Sequence, residues 1–266
     1  MHFVQCYGKL FIMKKNEKIL IKYLDDFGLD IFSLKDLENA NFLNKRQLIL
    51  AIQSLKRSEY IDSIEKEKYC RHNFKDHFVI GSFVVSDGVI SYWNAMNYHG
   101  LTEQIPNVIF VKTSKRKKNT NYFGVKYIFS RKRSICISGF KTQGYGNHQF
   151  RISNINRTIV DCFDKPQLSG GYAEIIKAFF NAKLNAKDMV KYCKEENKIS
   201  LTKRLAFLTE LLKKPNMNYF IKYAQSVVNQ KYSLFEINGE PQGKTNRKWR
   251  LVLNLSEEEI KEMAKS

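Results

Sequence analysis

Three groups of residues have types and spacings that resemble catalytic or metal-binding motifs. The first is a glycine-rich stretch, Gly239 to Gly243, with Lys244 and Thr245 after it, which approaches the phosphate-binding loop of nucleotide hydrolases. That loop needs four residues between its glycines, so that successive backbone N–H groups surround the phosphates, and a helix must follow it. Here three residues separate the glycines and the segment 249–255 is strand-like, so we predict a turn.

The other two groups suggest metal chemistry. Cys70, His72 and His77 are close enough for a zinc site, but no fourth ligand has matching spacing. Glu196 and Glu259, each followed two residues later by a lysine, are spaced like the end of a nuclease signature, whose carboxylates hold a metal. Both lie on predicted helices with no preceding strand or partner aspartate, so we interpret them as solvent-exposed. We therefore predict no catalytic residue, no cofactor, no metal and no enzymatic activity.

The charge of the chain points to a polyanionic partner. Its 266 residues contain 45 Lys and Arg against 26 Asp and Glu, a formal net charge of +19. Such an excess favours nucleic acid first and an anionic membrane second, and a lysine-rich genome composition is the alternative explanation. Residues 14–73 have a net charge of only +2, so most of the excess lies beyond them.

Cysteine usage and hydropathy indicate the class of protein. The five cysteines are scattered, odd in number and never arranged as C-x-x-C, which is typical of a reducing cytosol. No apolar run approaches the roughly 18 residues that span a membrane. We predict a cytoplasmic protein with no membrane partner, an N-terminal extension at 1–13, and two domains at 14–75 and 76–266.

The first domain has the pattern of a winged helix-turn-helix. Apolar residues at helical spacing predict a helix that ends near Gly28, and Ser33 and Asn44 can cap two further helices. The third helix would bury Leu48, Ala51, Ile52 and Leu55. A strand over 60–64, a charged turn over 65–68 and a returning strand then predict the hairpin, or wing.

A winged helix places its third helix in the major groove and its wing on the adjacent backbone. Residues of the third helix that we expect to face DNA are Lys45, Arg46, Ile49, Gln53 and Lys56. Residues that we expect on the wing are Lys66, Lys68 and Arg71. The alternative is a helical subdomain that contacts another protein, because winged helices also serve as adaptors.

The sequence pattern of the second domain predicts a mixture of strands and helices with a helical C-terminal part. We therefore predict that the whole chain is an α+β protein. We predict a helix over 91–99, strands over 108–112, 124–129, 135–140 and 148–152, a helix over 156–164, helices within 171–230, and a strand over 249–255 before a charged helix. Two basic runs interrupt the strands: Lys115, Arg116, Lys117 and Lys118, and then Arg131, Lys132 and Arg133. We expect at least one run to lie along the DNA backbone, and solvated loops are the alternative.

Two stretches of the second domain resemble a known family. Residues 91–106, SYWNAMNYHGLTEQIP, are similar to the ALxxHGLTxQxP segment of AbiEi-type antitoxins of type IV toxin–antitoxin systems. Residues 156–166, NRTIVDCFDKP, with Gly170 and Gly171 after them, resemble the family's ERTLLDxxxRP…GG segment, although Asn156 stands where the family has an acidic residue.

The resemblance implies both a function and partners. Such proteins bind double-stranded DNA at their own promoter through the winged helix, with a possible homodimer on DNA, and repress their operon. They also counteract a cognate toxin of the nucleotidyltransferase class, without a need for direct contact, and the second domain carries this activity and helps to bind DNA. Two other functions stay open: a nucleic-acid-processing enzyme such as a nuclease with a winged-helix head, and an orphan transcriptional regulator.

Overall fold

The computed structural model describes residues 13–265 and, before them, only the backbone of two short antiparallel strands, β1 (Gln5–Cys6) and β2 (Lys9–Leu10). The predicted extension at 1–13 otherwise lies outside the described residues. The described chain is mixed α/β, with eleven α-helices, as the α+β prediction requires. No helix within residues 13–265 is long and apolar enough to cross a membrane.

Residues 14–75, called the N-terminal unit below, combine three helices with a three-stranded antiparallel sheet of order β3-β5-β4. Its elements are α1 (Lys15–Asp26), β3 (Ile31–Ser33), α2 (Leu34–Asn39), α3 (Lys45–Arg57), β4 (Ile61–Glu65) and β5 (Lys68–Arg71). Both predicted caps are confirmed. The Ser33 hydroxyl accepts from the Asp36 N–H, and the side-chain oxygen of Asn44 accepts from the Gln47 N–H. Strand β3 was not predicted, because three residues are too few to show the alternation of apolar and polar side chains that indicates a strand.

A six-stranded mixed sheet follows, with strand order β10-β11-β6-β7-β9-β8. Its elements are α4 (His77–Phe83), β6 (Val89–Ile90), α5 (Tyr92–Tyr98), β7 (Val108–Thr113), β8 (Thr120–Tyr122), β9 (Val125–Arg131), β10 (Phe140–Gln143) and β11 (Phe150–Ser153). The neighbouring strands β7 and β9 are parallel, so their carboxyl ends meet at one edge of the sheet.

One strand prediction in this sheet is wrong. The segment 135–140 begins as a 3₁₀ turn (Ser134–Cys136), and the strand starts only at Phe140. The turn buries Cys136, whose thiol donates to the Glu195 carbonyl at 3.3 Å. The β propensity of the segment is therefore overridden by packing against a helix about 60 residues later in the chain.

The remaining residues are mostly helical and form the largest core. The elements are α6 (Ile155–Asp164), α7 (Tyr172–Asn181), α8 (Ala186–Glu196), α9 (Ile199–Leu211), α10 (Asn218–Val227), β12 (Ser233–Leu234), β13 (Lys244–Asn246), β14 (Leu251–Leu253) and α11 (Glu257–Lys265). A strand and not a helix follows Gly243, which confirms the prediction of a turn there. The predicted strand at 249–255 is shorter because residues 247–250 form a turn with Arg250 in the left-handed conformation. Trp249 of this turn is buried in the core, with its indole N–H 2.8 Å from Glu210.

The N-terminal unit packs directly on the six-stranded sheet. Ile31, Ile64 and Cys70 belong to the same apolar cluster as Val79 and Val111. The Asn147 side chain also accepts from the Ile31 N–H at 2.7 Å and donates to the Ile31 carbonyl at 2.8 Å. Hydrophobic packing therefore continues across the predicted boundary between residues 75 and 76.

Candidate nucleic-acid interface

Helix α3 presents a polar and basic face to solvent. Arg46, Gln53 and Lys56 are exposed, and Lys45 is exposed beside Glu38, with which it forms an ion pair of 2.9 Å. A pair as exposed as this contributes little to stability, so it leaves Lys45 available to another partner.

Ile49 does not point away from the core as predicted, because its partly buried side chain packs against the core of the N-terminal unit. The exposed apolar residue of α3 is Leu50, with 55% of its surface accessible. Arg46, Leu50, Gln53 and Arg57 follow the spacing i, i+4, i+7, i+11 and therefore share one face of the helix. The sequence analysis missed Leu50 and Arg57, although the helical period alone puts them beside Arg46 and Gln53.

The hairpin of β4 and β5 exposes fewer cations than predicted. Lys66 lies exposed at its turn. Lys68, in contrast, donates to Glu65 at 2.7 Å and to the Val84 carbonyl at 2.6 Å. Lys68 lies in the hairpin strand β5, but its ammonium is engaged inside the molecule: the bond to Glu65 lies within the hairpin, and the bond to the Val84 carbonyl joins the hairpin to the end of α4.

Arg71 is also engaged inside the molecule. Its guanidinium pairs with Asp25 of α1 and lies 5.0 Å from the centre of the Tyr60 ring. Only 17% of the side chain is exposed. The expectation that Arg71 faces DNA as part of the wing is therefore corrected: its carboxylate and aromatic partners, distant in sequence, hold it against the N-terminal unit.

Glu65 connects the hairpin to the first basic run. Its carboxylate accepts from Lys68, Lys117 and the Tyr122 hydroxyl, the last at 2.8 Å. Burial opposes ionisation of Glu65, but the hydrogen bonds from Lys117, Lys68 and Tyr122 lower the pKa of the carboxyl below its ordinary value. Residues 115–118 are thereby held beside the tip of the hairpin.

The run 115–118 leaves the carboxyl end of β7 and is ordered where it starts. The Asp87 carboxylate accepts from the Ser114 N–H at 2.8 Å and from the hydroxyls of Thr113 and Ser114. Lys115, Arg116 and Lys118 are exposed, whereas Lys117 turns inward to Glu65. Residues 104–160 contain twelve Lys and Arg and no Asp or Glu, so no carboxylate of this stretch neutralises the run.

The second run, 131–133, starts at the same edge of the sheet, since Thr113 pairs with Arg131. Of these three residues, Arg131 is exposed, and its side chain bonds no carboxylate or carbonyl among the described residues. Lys132 is 7% exposed and pairs with Asp164 and, at 2.7 Å, with Glu196. Arg133 is exposed but donates to the Glu195 carbonyl. The prediction of a free basic run is therefore wrong for Lys132, because its charge is neutralised inside the fold.

Beneath Lys132 lies a buried network of charges that the sequence analysis missed. Arg157, fully buried in α6, pairs with Asp161 at 3.0 Å, with Glu195 at 3.2 Å and with Glu196. Asp161 also accepts from the buried Lys112 at 2.5 Å. Burial lowers the pKa of Lys112 to about 8, against the opposing effect of Asp161. The i, i+4 spacing of Arg157 and Asp161 in this helix was the available signal.

The two glutamates interpreted as solvent-exposed have structural roles. The interpretation is wrong for Glu196, whose side chain is 3% exposed and pairs with Arg157 and Lys132. Glu196 is the last residue of α8, which packs against α6, and Asn197 after it adopts the left-handed conformation. Glu259 caps α11, since its carboxylate accepts from the Ser256 N–H at 2.7 Å.

Cys70, His72 and His77, considered above as zinc ligands, each contact a different group. Cys70 lies in the apolar cluster beneath the sheet, where burial and then Asp62 raise the pKa of its thiol to about 12. His72 contacts Asp62 at 3.1 Å, and His77 contacts the Tyr127 hydroxyl at 2.8 Å. Within residues 13–265, no group of three or more His, Cys, Asp or Glu is arranged to hold a metal ion.

Comparisons with known proteins show a similar fold but identify no family. No protein-family model matches this chain, and no curated protein matches it. Among solved structures it is similar to that of the RV2827C protein from Mycobacterium tuberculosis, with a TM-score of 0.62 over 91% of this chain and 92% of that one. At 10% sequence identity this likeness establishes a shared fold alone.

Proposed function

We propose that this chain is a sequence-specific DNA-binding regulator whose N-terminal unit acts as a winged helix. Three helices precede an antiparallel hairpin, and α3 carries an exposed face with Arg46, Gln53 and Arg57. Arginine and glutamine are side chains that read guanine and adenine by paired hydrogen bonds in the major groove. In this proposal α3 reads the bases and Lys66 of the hairpin contacts the backbone.

The observation that carries the proposal is the junction at Glu65. Its bonds with Lys68 and Lys117 hold two basic segments together, so the hairpin and the run 115–118 form one surface. Lys66, Lys115, Arg116 and Lys118 remain exposed on it. A duplex bound to α3 and the hairpin would place its phosphates near these cations, which supply affinity without sequence preference.

We further propose, on the resemblance to AbiEi-type antitoxins, that the chain represses its own promoter and counteracts a cognate nucleotidyltransferase toxin in the cytoplasm. The Arg157 and Asp161 of the family-like segment pair with each other inside the fold. That pairing gives these two motif residues a structural role, and it leaves the antitoxin activity to be tested in cells. The nuclease alternative gains no support, because Glu196 and Glu259 are engaged in structural contacts.

The first experiment tests reading by α3. The Lys45→Ala/Arg46→Ala and Arg46→Ala/Gln53→Ala variants, which change exposed side chains, should bind the chain's own promoter DNA roughly fivefold or more weakly. Binding is measured by fluorescence anisotropy with unrelated DNA as competitor. Lys222→Ala, an equally exposed lysine of α10, is the matched control. Wild-type affinity and selectivity in both double variants would exclude α3 as the reading helix.

A salt titration tests the surface built at Glu65. Changing Lys115, Arg116 and Lys118 to Gln removes three exposed charges. If each contacts one phosphate, the slope of log affinity against log salt becomes shallower by about 2.7, with sequence preference retained. The control changes three exposed lysines of the helical part to Gln: Lys183, Lys187 and Lys222. Equal slopes for wild type and the 115–118 variant would contradict the proposed surface.

Growth rescue tests the antitoxin role separately. The proposal requires a nucleotidyltransferase gene beside that of this chain, and the full-length chain is co-expressed with the product of that gene. We expect growth to be restored by the wild type and also by the Arg46→Ala/Gln53→Ala variant, which should bind the promoter more weakly. Continued growth arrest with the soluble full-length chain would reject the antitoxin role and leave DNA binding standing.

A further inference from the structure

A basic cleft opens at the carboxyl end of β9, between the six-stranded sheet and helices α6 and α8. Its volume is about 430 Å³. The residues that line it are Arg131, Lys132, Arg133, Cys136, Asp164, Lys165, Glu196 and Lys198. Five of these side chains are cations and two are carboxylates, so the lining holds more positive charge than its own acids neutralise.

Each of the two carboxylates is paired with two cations. Asp164 pairs with Lys132 and, at 2.5 Å, with Lys198, and Glu196 pairs with Lys132 and with the buried Arg157. Both carboxylate side chains are almost completely buried, which fixes them in the floor of the cleft. Three cations of the lining, Arg131, Arg133 and Lys165, therefore have no carboxylate partner within the cleft.

Lys165 is the most deeply placed of these three cations. Its ammonium lies half-buried and donates to the Ser130 hydroxyl at 2.8 Å, which also bonds the Tyr92 hydroxyl. Burial, and then the positive charges of Lys132 and Lys198, lower the pKa of Lys165, against the opposing effects of Asp164 and Glu196. An ammonium withdrawn from water beside other cations is unfavourable unless an anion completes its surroundings.

We propose that this cleft binds an oligophosphate, either pyrophosphate or the phosphate tail of a nucleotide. Three cations with no direct carboxylate contact in the cleft line one concavity, and an oligophosphate concentrates several negative charges and many acceptor oxygens in a small volume. A duplex presents its charges singly along an extended backbone, which suits the exposed run 115–118 better than a recess. The volume lies in the range of small-ligand sites. The inference is independent of DNA binding by α3 and the hairpin.

Calorimetric titration of the full-length wild-type protein with sodium pyrophosphate at low salt tests the proposal. We expect saturable binding of one pyrophosphate per chain, and weaker binding of orthophosphate because it carries less charge. The Arg131→Gln/Lys165→Gln variant should bind pyrophosphate roughly tenfold more weakly or worse, since two charge-assisted contacts are removed. If the double variant does not melt cooperatively, Arg131→Gln alone, at an exposed side chain, gives the same comparison.

The matched control is Lys115→Gln/Lys118→Gln, which removes two exposed charges outside the cleft and should retain pyrophosphate affinity. Absence of saturable binding to the wild type, or an equal loss in the control, would overturn the proposal. Promoter DNA is titrated into the same proteins. Loss of DNA affinity by the Arg131→Gln/Lys165→Gln variant with unchanged pyrophosphate binding would also overturn it, because these cations would then serve the DNA.

Discussion

Substitution of Asp161 by Asn tests whether the buried charge network holds the fold. The Asp161 side chain is inaccessible to solvent and accepts from Lys112 at 2.5 Å and from Arg157 at 3.0 Å. Asparagine keeps the shape and removes the charge. Arg157 would retain Glu195 and Glu196, whereas Lys112 would stay buried with no carboxylate in contact.

The expected loss follows from that single uncompensated ammonium. Breaking a buried pair by removal of one partner costs about 3–5 kcal/mol of unfolding free energy. At roughly 2–4 °C per kcal/mol for a chain of this size, the midpoint of thermal unfolding should fall by about 6–20 °C. Loss of Asp161 should lower the pKa of Lys112 further below its wild-type value of about 8, while Lys112 titrates alike in the two unfolded chains. The deficit should therefore be complete only where Lys112 is protonated in both folded proteins, and should disappear as pH rises through about 8.

Urea denaturation followed by circular dichroism measures the change. The matched control is Glu257→Gln, because Glu257 forms a half-exposed surface pair with Lys261 at 4.0 Å and should cost less than about 1 kcal/mol. The Lys112→Met/Asp161→Asn double variant should recover much of the loss, because no unpaired charge remains. A deficit below about 1 kcal/mol for Asp161→Asn, or a double variant no more stable than it, would refute the reasoning.

Three further outcomes are expected. Glu65→Gln should lower the free energy of unfolding at pH 7 by about 1–3 kcal/mol, since it weakens hydrogen bonds to a charged group. The pKa of Glu65 is lowered in the fold, so the difference in unfolding free energy between wild type and this variant should be complete above about pH 5. It should disappear on acidification, as the carboxyl is protonated. A difference that persists in acid would count against the Glu65 contacts. Gly139→Ala should destabilise more than Gly124→Ala, although both glycines have positive φ, because only at Gly139 would the new Cβ meet another group, at 2.6 Å from the Tyr192 ring. Equal melting temperatures of the two alanine variants would contradict that steric argument.

The helices of the N-terminal unit were predictable because their signals are local. A capping side chain at Ser33 or Asn44 bonds a backbone N–H three residues later, so its partner is within reach of the sequence pattern itself. The buried face of α3 follows in the same way from the helical period. On this helix the exposed Leu50 and Arg57 were missed, and Ile49, at the border between the two faces, packs against the core.

The basic residues were the least predictable part of the candidate site. Lys115 and Lys132 belong to similar runs, yet Lys115 is exposed while Lys132 is buried between Asp164 and Glu196. Those acids lie 32 and 64 residues further along the chain. No local pattern contains such partners, so the sequence alone cannot separate a cation that is free from one that is neutralised.

The sequence by itself determined the mixed α/β class, the helices with their caps, the turn at Gly243 and the strong positive charge, because each depends on residue type and short spacing. Only the tertiary structure decided which cations remain available. Pairing of β7 with β9 brings the starts of both basic runs to one sheet edge, and Glu65 and Glu196 then neutralise Lys117 and Lys132. Charges interact through space, and the distances between them are set by the fold and not by their separation along the chain.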